Sequence, residues 1–82
     1  MDANEINAIV EQAQMIVCGY AFSQTDEGFV RVVNLHAPYH ALVMAQDGEP
    51  LETDMDDIEI SIVNRYWCRN KKTWEESYAK VL

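Results

Sequence analysis

A chain of 82 residues, 49% of them hydrophobic, has room for one core, so we predict a single domain over residues 1–82. Its net charge of −8 would repel phosphates, which argues against nucleic acids and anionic membranes as partners. No apolar run reaches the roughly 18 residues of a membrane span, and the first residues lack the pattern of a signal peptide. The protein is therefore expected to be cytoplasmic.

The first predicted element is an amphipathic helix over residues 3–18. A capping-box pattern precedes it, and Gly19 supplies the residue that ends it. Its apolar residues recur three and four positions apart, and they are Ile6, Ile9, Val10, Ala13, Ile16 and Val17. We expect this face to be buried, so that truncating Ile9 or Ile16 to alanine would cost about 2–5 kcal/mol.

A meander of three strands follows, at residues 20–25, 29–35 and 40–46. Aromatic and β-branched residues fill these segments. Gly28 suits the first connection, Pro38 interrupts the second, and Asp47-Gly48 is a strong turn signal after the third. Such short connections predict antiparallel pairing. Pro50 restricts any later strand to a short edge segment.

Residues 55–69 carry two patterns. Isoleucines alternate with polar residues from position 58 to position 62, as in a strand, whereas the acids before them and the apolar residues beyond favour a helix. We predict a helix with a wide apolar arc made of two adjacent stripes, Met55, Ile58, Ile62 and Tyr66 in one and Ile60, Val63 and Trp67 in the other. We expect Ile58, Ile62 and Tyr66 to share a buried side. A strand at this place would instead give a sheet of four strands.

A second C-terminal helix is predicted after Asn70, where Thr73 and Glu76 form a capping-box pattern. One face of that helix is a candidate interaction surface, formed by Trp74, Tyr78, Val81 and Leu82. The predicted fold class is α+β, with an N-terminal helix, a three-stranded antiparallel meander and two C-terminal helices packed on one sheet face, in the order αβββαα.

The charges are segregated. Half of the acidic residues lie between Asp47 and Glu59, where no lysine or arginine occurs, and five of the six basic residues lie from Arg65 to Lys80. This arrangement complements a helix dipole, and it also gives the molecule two charged poles that partners could use. The acidic run lacks the glycine and glutamate positions of an EF-hand loop. Weak binding of divalent cations by its carboxylates stays an alternative.

Four side chains could bind a metal or take part in catalysis, namely Cys18, His36, His40 and Cys68. Pro38 lies between the histidines, so they are not a helical ligand pair, and neither cysteine belongs to a CxxC pair. Both cysteines are expected to be free thiols. The chain has no glycine-rich phosphate loop and no GxSxG motif. We therefore predict no catalytic, metal or cofactor site.

The sequence favours a non-catalytic protein-interaction module that self-associates as a homo-oligomer or binds a protein partner. The charged poles and an aromatic content that one small core only partly hides point to this class. An exposed sheet edge is a second candidate surface. The alternative is a small enzyme or metal-binding protein, which would need the four cysteine and histidine side chains close to one point.

Overall fold

The chain folds into a short α-helix, five consecutive antiparallel strands and a long second helix. The structure is a computed structural model that describes residues 3–79, with side chains as far as residue 76. The elements are α1 (Ala3–Gln12), β1 (Met15–Val17), β2 (Tyr20–Gln24), β3 (Val30–Asn34), β4 (Ala41–Met44), β5 (Pro50–Thr53) and α2 (Asp57–Ala79). Each strand pairs with the next along the chain, in the sheet order β1-β2-β3-β4-β5.

The predicted order αβββαα is therefore wrong, although the class α+β agrees with the structure. Two more strands, β1 and β5, form the sheet edges, and the two predicted C-terminal helices are one helix, α2. Asn70 does not end the first of them. Its side-chain amide donates a hydrogen bond of 2.9 Å to the carbonyl of Tyr66 inside the helix, so the chain continues without a break.

The predicted helix over residues 3–18 is also too long. It ends at Gln12 because Met15–Val17 pair with β2 as a strand instead of continuing the helix. Cys18 and Gly19 form the two-residue turn between these strands. Both residues have positive φ angles, 49° and 82°, as a type I′ hairpin turn requires. Gly19 thus ends a strand rather than a helix.

The expected burial of the first helix is wrong as well. No residue of α1 is buried, and Ile16 is 49% exposed on the edge strand β1. Truncating Ile16 should therefore cost much less than the predicted 2–5 kcal/mol, since partly exposed side chains lose little on truncation.

The core lies between one face of the sheet and α2. Alternate residues of the central strands point to this face and meet side chains of the helix. Its buried members are Phe22, Val30, Val32, Leu42, Met44, Met55, Val63, Trp67 and Trp74. Trp67 stacks on Phe22 with ring centroids 6.1 Å apart and meets Trp74 edge-on at 5.3 Å. These aromatic contacts fix the helix on the sheet.

Of the two apolar stripes predicted for this helix, the structure buries the second more deeply, and the expected burial of Ile58 is wrong. Ile58 is 74% exposed, and Ile62 and Tyr66 are only half-buried, whereas Val63 and Trp67 are fully buried. Among the described side chains of α2, the buried ones are Val63, Trp67 and Trp74, which lie four and seven positions apart. This stripe contains both tryptophans, so it buries more apolar area than the stripe of Ile58, Ile62 and Tyr66.

In the part of the chain that the structure covers, neither helix combines the length and the apolar character that crossing a membrane requires.

Candidate functional site

The four cysteine and histidine side chains do not form one centre. Cys18 lies in the β1–β2 turn, and His36 packs over the neighbouring Gly19, where an added Cβ atom would lie 3.1 Å from the imidazole. Cys68 is an exposed free thiol on α2. Within residues 3–76 no histidine hydrogen-bonds to a cysteine, and no three metal-ligating side chains converge. The arrangement therefore gives no support to the alternative of a metal or thiol centre.

The polar cluster that the fold does assemble is centred on Glu59, in the first turn of α2. Its carboxylate is 16% exposed and accepts hydrogen bonds from three groups of the sheet side. Oε2 accepts from the hydroxyl of Tyr20 at 2.9 Å and from Nδ2 of Asn34 at 2.8 Å. Oε1 lies 3.0 Å from Nδ1 of His40, which carries the hydrogen toward this oxygen. The cluster ties the start of α2 to β2, β3 and the chain before β4.

The pKa shifts in this cluster follow from the hydrogen bonds. Burial alone would raise the pKa of Glu59, but its three hydrogen bonds stabilise the carboxylate and the pKa is lowered overall. The hydrogen bond to Glu59 raises the pKa of His40, against a smaller opposing effect of burial. Burial and the same carboxylate raise the pKa of Tyr20 to about 12. These three hydrogen bonds thus hold Glu59 in its ionised form.

A second contact links this cluster to the β1–β2 turn. The rings of Tyr20 and Tyr66 lie 5.9 Å apart, and a hydrogen bond with the Cys18 thiol is the main cause of a raised pKa of Tyr66. Tyr20, Asn34 and His40 all hydrogen-bond to the same carboxylate, that of Glu59. The cluster therefore fits a structural clamp better than a catalytic centre.

The clamp predicts a pH dependence of stability. The raised pKa of His40 means that its contribution is present below pH 6.5 and is lost as the pH rises through the folded-state pKa. The lowered pKa of Glu59 means that its contribution is present above pH 4.5 and is lost as the pH falls through the folded-state pKa. Both contributions are present between pH 4.5 and pH 6.5.

The free energy of unfolding differs between about pH 5.5 and about pH 8.5, and we expect most of this difference to be absent in His40→Gln when both proteins are unfolded with denaturant. His36→Gln is the control, because His36 forms no ion pair with any side chain of residues 3–76. A His40→Gln protein with the same pH-dependent difference as wild type would show that the pair does not contribute.

The acidic run forms an exposed surface, which we call the acidic edge. It covers the β4–β5 turn, the edge strand β5 and the start of α2, and its exposed carboxylates belong to Asp47, Glu49, Glu52, Asp54, Asp56 and Asp57. Across residues 3–76, no lysine or arginine forms an ion pair with any of these carboxylates. Leu51, 48% exposed, and Ile58 lie among them. The surface therefore combines uncompensated negative charge with exposed apolar area.

The predicted surface on the C-terminal helix is only partly described. Trp74 is buried in the core against Trp67 and so does not contribute exposed area. The side chain of Tyr78 and the residues Val81 and Leu82 lie outside what the structure describes. The role of this stripe in association stays a prediction.

Sequence reasoning did not single out Tyr20, Asn34 and Glu59. Tyr20 and Asn34 precede Glu59 by 39 and 25 residues. The β2–β3 register sets Tyr20 opposite Asn34, and the packing of α2 on the sheet brings Glu59 to both. One local signal existed, since Glu59 stands between two isoleucines near the start of an apolar helix face. A charged side chain that becomes buried at such a position needs hydrogen-bonding or oppositely charged partners.

Fold and site together define a small α+β domain, an antiparallel meander with one face covered by a C-terminal helix and one edge strongly acidic. Residues 3–73 match the family of unknown function DUF7723, and the chain belongs to that family. Comparisons with curated proteins and with solved structures gave no match.

Proposed function

We propose that the protein is a non-catalytic interaction module of the cytoplasm that binds a basic protein partner along its acidic edge. The observation that carries this proposal is the set of exposed carboxylates from Asp47 to Asp57, which lack cationic partners among the described residues. Like charges held close together repel one another, and a basic partner relieves that repulsion.

The charge balance favours a different protein over a second copy of this chain. Each molecule carries a net charge of −8, so two copies repel one another over the screening distance. The exposed bases Arg65, Arg69 and Lys72 could meet the acidic edge of a neighbour, but they are fewer than its carboxylates. A homo-oligomer is therefore the competing outcome of the test.

The apolar residues on the acidic edge support a protein partner rather than small counterions. Leu51 and Ile58 are large and exposed, and a protein surface would remove their apolar area from water. Pro50 and an irregular register between Val43 and Met44 disturb the pairing of β5. Such features restrict indiscriminate strand addition, so recognition would rest on side chains.

The proposal predicts binding of a peptide with alternating arginine and threonine residues. Backbone NMR signals from residues 47–58 should shift in its presence, and a peptide with glutamate in place of arginine should leave them unchanged. Raising the salt from about 0.1 M to about 1 M should weaken binding strongly, since the screening length falls from about 10 Å to about 3 Å.

A matched pair of variants locates the binding surface. Glu49→Gln with Asp57→Asn removes two acidic-edge charges whose side chains accept no described hydrogen bond, and it should weaken peptide binding about two- to fivefold or more. Asp26→Asn with Glu27→Gln removes two exposed charges from the β2–β3 turn and should leave binding nearly unchanged. If both pairs of substitutions weakened binding equally, the peptide would be held by nonspecific electrostatic attraction and not by the acidic edge.

Light scattering over a salt series distinguishes the competing outcome. A monomer at all concentrations agrees with a heterologous partner. Dimers that dissociate in high salt, together with no peptide binding, would replace the proposed partner with a second copy of the chain.

A further inference from the structure

We infer that an open depression beside β4 and β5 is a socket for an arginine or lysine side chain; this rests on the proposed basic partner and names the place where it is recognised. The depression has a volume of about 430 Å³. It is lined by Tyr39, Ala41, Leu42, Val43, Glu52, Thr53 and Asp54.

The floor of the depression is apolar. Ala41 and Val43 alternate with the buried Leu42 and Met44, so they lie on the sheet face opposite α2, and both are half-buried. Long cationic side chains bury their alkyl stems along such surfaces while the charged group stays near water. The floor therefore suits the stem of arginine or lysine.

Two carboxylates at the rim supply the opposite charge. Glu52 is exposed and pairs with no described cation. Oδ1 of Asp54 accepts a hydrogen bond of 2.8 Å from the backbone N–H of Ala41, which fixes the side chain and leaves its second oxygen as an acceptor. A guanidinium group can donate to both carboxylates, and its planar fork makes arginine the better fit.

An aromatic ring completes the socket. Tyr39 is half-buried, and its backbone N–H donates a hydrogen bond of 2.8 Å to the carbonyl of His36, in the turn that precedes β4. A cation near a tyrosine ring is attracted by the ring quadrupole. A metal ion is a poorer match for this lining, since calcium takes about six to eight oxygen ligands and the depression offers an apolar floor.

The test uses acetyl-arginine methylamide as the probe, with acetyl-norleucine methylamide as the uncharged control. The arginine derivative should shift the NMR signals of Tyr39, Ala41, Val43 and Glu52, and the norleucine derivative should not. In Glu52→Gln the dissociation constant of the arginine derivative should rise about two- to fivefold, the range of one exposed ion pair. Glu27→Gln is the matched control, because Glu27 is an exposed glutamate that lies outside both the depression and the acidic edge.

Tyr39 provides an independent variant. Its φ angle is +62°, a conformation that asparagine adopts more readily than most residues, so Tyr39→Asn removes the ring while suiting the backbone. Tyr39→Asn should weaken binding of the arginine derivative, and Tyr39→Phe, which keeps the ring, should restore it.

The outcomes separate the two proposals. If the basic peptide binds the acidic edge but the arginine derivative shifts no signal around the depression, the socket is overturned and the interaction module survives. If the arginine derivative shifts those signals while the peptide does not bind, the socket stands and the extended acidic edge is wrong as the docking surface. Equal dissociation constants for Glu52→Gln, Glu27→Gln and wild type would also overturn the socket.

Discussion

Replacing Trp67 with alanine is expected to lower the free energy of unfolding by about 3–5 kcal/mol, the range found when large aromatic residues are removed from cores. Its side chain is 1% exposed and packs between Phe22 and Trp74. Its indole Nε1 also donates a hydrogen bond of 2.9 Å to the carbonyl of Gln46. The substitution removes a large apolar contact and leaves that carbonyl without its donor.

An 82-residue domain has a total stability of roughly 4–12 kcal/mol, taking roughly 0.05–0.15 kcal/mol per residue. The alanine variant could therefore unfold, and Trp67→Phe is the measurable companion because it keeps most of the apolar volume. Ile58→Ala is the control on the same helix and should change stability by no more than about 0.5 kcal/mol, since the side chain is mostly exposed. Denaturant unfolding measures all three. Similar costs for Trp67→Phe and Ile58→Ala would contradict the placement of Trp67 in the core.

The central strands were predictable because the residue types within them and in the turns beside them favour strands and tight turns. β2, β3 and β4 fall within the predicted segments, and their β-branched and aromatic residues flank turns that contain Gly28 and Gly48. The edge strand β5 begins at Pro50, where the sequence predicts at most a short edge segment. Period-2 patterning and turn residues thus carried the information for this part of the sheet.

The first edge strand was not predictable in the same way. Met15, Ile16 and Val17 continue the apolar spacing of the preceding helix, so periodicity does not separate β1 from α1. The turn that follows places Cys18 at a φ angle of 49°, a position where asparagine, aspartate or glycine is the usual signal. Pairing with β2, which depends on tertiary structure, decides the conformation here.

The length of α2 also depends on tertiary contacts. Asn70 and Thr73 resemble helix-ending and helix-starting residues, but Val63, Trp67 and Trp74 all reach the same sheet face. Burial of both tryptophans outweighs the small cost of asparagine inside a helix, which is below about 1 kcal/mol. Local capping signals cannot report such a balance.

The candidate surfaces were predictable to different degrees. The acidic edge is visible in the sequence as a run of acids, and sequence reasoning assigned it chiefly to a helix start. In the structure only its last member, Asp57, belongs to α2, and the rest lie in the β4–β5 turn, on the edge strand and in the segment between β5 and α2. The depression beside Tyr39 could not be foreseen, because it depends on the register that sets Val43 opposite Glu52.

The β4–β5 turn gives the other large expected effect. Gly48 has a φ angle of +93°, and an added Cβ atom would lie 2.5 Å from Oδ1 of Asn64 on α2. Gly48→Ala should therefore cost about 1–3 kcal/mol from backbone strain, with a further cost for displacing the Asn64 amide at the flexible end of that side chain. Denaturant unfolding gives the value.

Gly28→Ala is the matched control for this substitution. Its φ angle is +86°, and the nearest side-chain atom to an added Cβ is 4.0 Å away, so it carries a similar backbone cost without the contact. The excess cost at Gly48 then measures how closely the turn is held against α2. In a double-mutant cycle, Asn64→Ala should recover part of that excess, because it removes the clashing oxygen. Equal costs at both glycines, with no recovery, would mean that the turn yields freely and does not anchor the helix.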